Sequence, residues 1–117
     1  MAKADRLEQL DSRRLDLEAE YREQLVAALR VTAAGKWGLF DHNGDRRTRA
    51  VIAPVIDSLT ETAAAIDKIR WQLALPTFEL HHQFLQSRGS VKSHDVGEPK
   101  QAQAWLDRLW FEVGDIH

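Results

Sequence analysis

From residue 5 to residue 34 the apolar positions recur at three- and four-residue steps: Leu7, Leu10, Leu17, Tyr21, Leu25 and Leu29. That spacing collects them on one side of an α-helix. Neither Pro nor Gly interrupts the span, so a helix is predicted from Asp5 to Ala34. At about 1.5 Å per residue it is roughly 45 Å long, more than a compact domain of this size needs. Only Arg14 breaks the stripe. The first half is dense in charges of both signs, from Arg6 to Glu23, as on a solvated or coiled-coil face. Leu7, Leu10 and Leu17 therefore have two readings. They pack on the other helices of the chain, or they form a seam with a partner or a second copy.

A second stripe comprises Ile52, Ile56, Leu59, Ala63, Ile66, Ile69 and Leu73, and predicts a helix within residues 48–75. Pro54 fits the first turn of that helix, where a missing N–H costs little. If the helix starts near Arg47 instead, Pro54 should kink it. Asp57 and Glu61 early, and Lys68 and Arg70 late, complement the helix dipole. Pro76 then stops the helix. Two long helices with facing stripes and a short connection make an antiparallel hairpin. A third helix is predicted from Thr77 to Gln86, with Phe78, Leu80, His81, Phe84 and Leu85 on two apolar flanks and Gly89 as its end. The polar stretch 87–97 reads as a loop. A fourth helix begins at Glu98-Pro99, presents Ala102, Trp105, Leu106, Leu109, Trp110 and Val113, and closes at Gly114. The expected fold is all-α, a long antiparallel helical hairpin plus two shorter helices in a four-helix, bundle-like domain over residues 1–117.

Composition narrows the function classes. The 117 residues are 44% hydrophobic, enough for a packed core. The net charge of −2 and a pI near 6.2 argue against a dedicated nucleic-acid binder, which needs a Lys/Arg excess on one face. With no cysteine there are no disulfides, zinc–thiolate sites or cysteine nucleophiles. No apolar run is long enough to span a bilayer, and MAKADRLEQLDSRR lacks the apolar core of a signal peptide. The expected location is cytoplasmic, with no membrane partner.

The segment GKWGLFDHNGDRR, residues 35–47, holds the D-x-N-x-D start of a calcium loop. Counted from Asp41, position six is Arg46 and position twelve is Ile52. The turn glycine and the bidentate carboxylate are both missing, and two arginines would repel a cation. Asn43-Gly44 reads instead as a turn, with Asp41 or Asp45 capping the next helix. Trp37, Leu39 and Phe40 either fold back over the end of the helical pair or, as Trp37 and Phe40, anchor a partner. Lys36, Arg46, Arg47 and Arg49 make this the most basic part of the chain, a candidate for an anion.

Glu79 and His82 form a Glu-x-x-His pair on one helical face, the motif that di-iron bundles use twice. One copy is present, and a homodimer would be needed for a second. The bland alternative leaves His81 and His82 partly exposed with one hydrogen bond each. His94 and His117 have no visible partner in the sequence. No serine lies in a nucleophile turn and no glycine motif cradles phosphate, so no catalytic residue is assigned and no cofactor is expected. Trp71, Trp105, Trp110 and Phe111 would be enclosed in one core by four helices. Trp110 and Phe111 are adjacent, however, and so point about 100° apart. One of them is expected at the surface or at a subunit interface.

The segments AAGKWGLFDHN (residues 33–43) and GEPKQAQAWLDRL (residues 97–109) resemble stretches of small uncharacterised bacterial helical proteins. The resemblance implies a bacterial cytoplasmic origin and carries over no activity, cofactor or site residue. The expected function is a non-enzymatic protein–protein interaction or self-association module, with a homodimer or another protein as partner and Leu7, Leu10, Leu17, Trp37, Phe40 and Trp110 as contact residues. The alternative is a metal- or small-ligand-binding helical bundle in which Glu79 and His82 are the first ligands.

Overall fold

A computed structural model describes residues 2–36, 38–40, 46–88 and 98–114. It contains four α-helices: α1 (Ala2–Ala33), α2 (Arg46–Gln72), α3 (Glu79–Ser87) and α4 (Glu98–Gly114). The expected all-α, four-helix architecture is what the chain adopts. Of the expected 87–97 loop, Ser87 belongs to α3 and Arg88 caps it, while Gly89, His94 and the rest lie outside the described residues, as do Asp41–Asp45, with their Asn43-Gly44 turn, and His117.

The axis of the fold is α1, which packs against α2 on one side and α4 on the other. Its stripe supplies Leu17, Tyr21, Leu25, Ala28 and Leu29 to the core, opposite Ile52, Leu59, Ala63, Ile66 and Ile69 of α2. Gln24 accepts from Ser58 and Thr62 while Glu18 meets Arg70. As numbers rise along α1 they fall along α2, so the two form the predicted antiparallel hairpin. The short α3 covers the hairpin with Leu80 and Phe84, and Trp105 of α4 meets Phe84 edge to face at 6.1 Å between centroids. Such offset aromatic geometry adds to simple area burial.

The exits of α1 and α2 close with paired backbone bonds. At the end of α1, Lys36 N–H reaches the Val31 carbonyl and Gly35 N–H the Thr32 carbonyl. At the end of α2, Leu75 N–H reaches Arg70 and Ala74 N–H reaches Trp71. Each is a Schellman motif, which needs a residue with positive φ at its turn. Gly35 takes φ 79°, and Ala74 takes φ 58° in spite of its Cβ. This turn ends α2 before Pro76 is reached.

Pro54 falls in the ninth position of α2 rather than in its first turn, because the helix starts at Arg46. Its ring deprives the Ala50 carbonyl of an i+4 donor. Ala50 and Pro54 are both exposed, so water can take that carbonyl. Ile52 and Leu59 are buried and hold the helix through this position.

Arg14, the break in the α1 stripe, also has a physical reason. It donates to Asp11 at 2.8 Å and to Glu18 at 2.9 Å. Glu18 in turn accepts from Arg70 Nε at 3.0 Å and Nη2 at 3.1 Å, while Arg70 Nη1 donates to the Pro76 carbonyl at 2.9 Å. The chain of charges clips α1 to the end of α2 at the edge of the core. The bidentate Arg70–Glu18 fork fixes direction as well as distance.

Candidate functional site

Before that clip, Leu10 packs against the edge of the core. Leu17 is the first core residue of α1, and residues 4–9 are all exposed. The fifteen residues before Leu17, Ala2–Asp16, cover about 22 Å at the usual rise. Within them Leu7 is 44% and Leu15 54% exposed, whereas Leu10 packs against the core edge. The α1 residues named in the sequence reading are thus graded: Leu7 is outside, Leu10 at the edge and Leu17 inside the chain's own core.

Of the aromatic candidates, Trp37 lies outside the described residues. Phe40 is fully buried, beside Leu39, and its ring sits 6.0 Å from that of Phe84. It plugs the end of the bundle. The plug is held by its backbone: Leu39 N–H donates to Thr32 Oγ1 at 3.3 Å, Phe40 N–H to Glu98 Oε1 at 3.1 Å, and Arg88 Nε to the Leu39 carbonyl at 2.8 Å. The Glu98 carboxylate lies against Gly38 where a Cβ would point, so a side chain at 38 would expel it. Trp105 enters the core, but Trp110 is 78% and Trp71 82% exposed. The expectation of one core enclosing these tryptophans fails for two of them. Trp71 follows Arg70, which turns inward to Glu18, so Trp71 itself points outward.

Trp110 stands at the rim of a groove of about 640 Å³ between α1 and α4, floored by Val26, Ala33, Leu106 and Leu109, with Arg22, Arg30 and Asp107 among its polar lining. A smaller apolar groove of about 420 Å³ lies between α1 and α2, at Ala27, Val31, Pro54 and Val55.

The metal candidates Glu79 and His82 stand on α3. Both are exposed, and Glu79 Oε1 accepts from Thr77 Oγ1 at 2.8 Å. Among the described residues, no group of three His, Asp or Glu side chains is placed to hold a metal ion. The basic candidates Arg46, Arg47 and Arg49 are exposed at the start of α2.

His81 is the polar residue whose setting the sequence misstates. It is 5% exposed, not a half-exposed surface group. Its Nδ1 lies 2.7 Å from the Tyr21 hydroxyl and its Nε2 3.3 Å from Thr60 Oγ1. One imidazole therefore joins α1, α2 and α3. Either tautomer of the neutral ring satisfies both contacts, because each hydroxyl can donate or accept. Burial lowers the His81 pKa, His82 lowers it further, and Asp67 acts the other way. Burial also raises that of Tyr21. The only sequence signal for this joint is the place of His81 between Leu80 and Phe84 on an apolar flank. Asp67 additionally accepts the Phe78 N–H at 2.7 Å, fixing the entry of α3.

Among the described residues no helix is long and apolar enough to cross a membrane. No protein-family model, no curated protein and no solved structure matches this chain.

Proposed function

We propose that this chain is a non-enzymatic self-association module that acts through the projecting first turns of α1 and the exposed late aromatic surface around Trp110. One observation carries the reading. A continuous helix runs about two turns beyond its first core contact, Leu10, and leaves Leu7 and, on the face away from Leu10, Leu15 in solvent. Isolated helical segments of this length are marginal in water, and a second copy would supply the missing apolar contact. The projecting segment carries Lys3, Arg6, Arg13 and Arg14 against Asp5, Glu8, Asp11 and Asp16. The signs balance, so like segments approach without net repulsion. In this reading the protein works in the cytoplasm.

The test is molar mass by light scattering on a sizing column across a concentration series, for the native chain and for Leu7→Asp and Leu15→Asp. The reading expects a dimer or larger species that shifts toward monomer in the variants while their helix content is retained. A native chain that stays at 13.4 kDa at every concentration would sink it.

A further inference from the structure

We infer that the projecting segment of α1 docks in the α1–α4 groove of a second copy, reciprocally and antiparallel, to give a closed twofold dimer. The inference rests on the self-association reading and names the surface that receives the helix.

Three features of the molecule carry it. The first is continuity. Leu15, Ala19, Arg22, Val26 and Ala33 follow one another at steps of four, three, four and seven, so they share one side of α1. Arg22, Val26 and Ala33 form the α1 wall of the groove. The exposed Leu15 and Ala19 continue that wall into the projecting segment.

The second is length. The α1 wall of the groove runs from Arg22 to Ala34, about 18 Å along the helix, and the stretch Ala2–Asp16, whose Leu7 and Leu15 face solvent, spans about 22 Å. Laid antiparallel about a twofold centre near Glu20-Tyr21, the Leu15 of one copy stands opposite Val26 of the other. Ala19 then stands opposite Arg22, leaving room for the longer side chain. The same operation places the second copy's Leu15 on the first copy's Val26. The contact is isologous, so it closes at two copies rather than growing into a filament.

The third is charge. Arg30 is exposed on the groove rim, and the acidic pair Glu8 and Asp11 of the incoming helix comes alongside it, with Asp11 directly opposite. The twofold repeats the pair, setting the second copy's Arg30 opposite the first copy's Asp11. Complementary rim charges of this kind set register and orientation more than affinity. Trp110, 78% exposed at the groove rim, is covered by the incoming helix in this arrangement.

The chain has no cysteine, so the register can be read by introduced pairs. The experiment uses the full chain carrying Leu15→Cys with Val26→Cys and, separately, Asp11→Cys with Arg30→Cys, oxidised at low protein concentration and run without reductant. Within one chain the first pair is about 16 Å apart along α1 and the second about 28 Å, too far for a disulfide. The expected result is a reducible species at twice the monomer mass for both pairs and for neither pair's single-cysteine controls. Light scattering of the native chain separates the two ideas. A native dimer in which neither pair cross-links would overturn this docking and leave self-association standing. A native monomer at every concentration would overturn both and leave the groove to a different protein.

Discussion

At the scale of single residues, the His81 imidazole ties stability to pH. In the folded chain the neutral ring satisfies Tyr21 and Thr60, and burial holds its pKa below the ordinary value of 6.5. A histidine with a lowered folded pKa takes up its proton less readily folded than unfolded. The unfolded chain therefore binds more protons once the pH drops below about 6.5, and stability falls until the folded ring also titrates. Above that window the contribution is complete. Urea titrations from pH 7.5 down to pH 5 should show this decline, and His81→Gln should flatten it by the part that His81 supplies. Tyr21→Phe removes the partner of Nδ1 without changing the ring that meets Phe78 edge-on at 5.1 Å. It should cost about 1–3 kcal/mol, the usual penalty for an orphaned buried polar atom. An unchanged denaturation midpoint would show that water replaces the hydroxyl.

At the scale of elements, two helix positions work against their own residue types. Ala74 holds a left-handed turn that elsewhere in the chain is given to Gly35. Ala74→Gly should stabilise by about 0.5–1 kcal/mol, the left-handed strain relieved less the entropy of a glycine in the unfolded chain. Gly35→Ala should destabilise for the same reason. Pro54 leaves one carbonyl of α2 without its helical donor, at up to about 3 kcal/mol in a helix interior. Pro54→Ala should raise the melting temperature, and its failure to do so would mean that the proline's fixed φ offsets the lost bond through the unfolded chain. The pattern of apolar residues located all four helices. It left the start of α2 open between Pro54 in the first turn and a start near Arg47, and the helix takes the earlier start, Arg46, with the buried Ile52 and Leu59 on either side of Pro54.

At the scale of the whole molecule, the chain measures 56 × 32 × 21 Å, and the long dimension reflects an α1 that exceeds its core. Leucines on the same stripe therefore have opposite weights. Leu17→Asp places a carboxylate inside the core and should cost about 3 kcal/mol or more. Leu7→Asp touches the projecting turns and should leave the monomer's thermal transition nearly unchanged. Circular dichroism melts of the two variants at low concentration would check this, and equal losses would mean that the first turns belong to the core.

The sequence by itself determined the class of fold, the four helices, the hairpin and the over-long α1, because periodicity, Pro and Gly act within a few residues of chain. It also excluded cysteine chemistry through composition alone. Tertiary structure decided which apolar residues are inside. Leu10, Leu17 and Leu7 share one pattern, yet only the place where α2 ends separates core from projection. Trp71, Trp105 and Trp110 are the same residue type on equally helical backgrounds, and only Trp105 is inside, its ring against Phe84. His81 became a buried joint because three helices brought Tyr21 and Thr60 to its two nitrogens, partners sixty and twenty-one residues away. Contacts over such separations leave no local pattern, since the residue types involved are compatible with either surface or core.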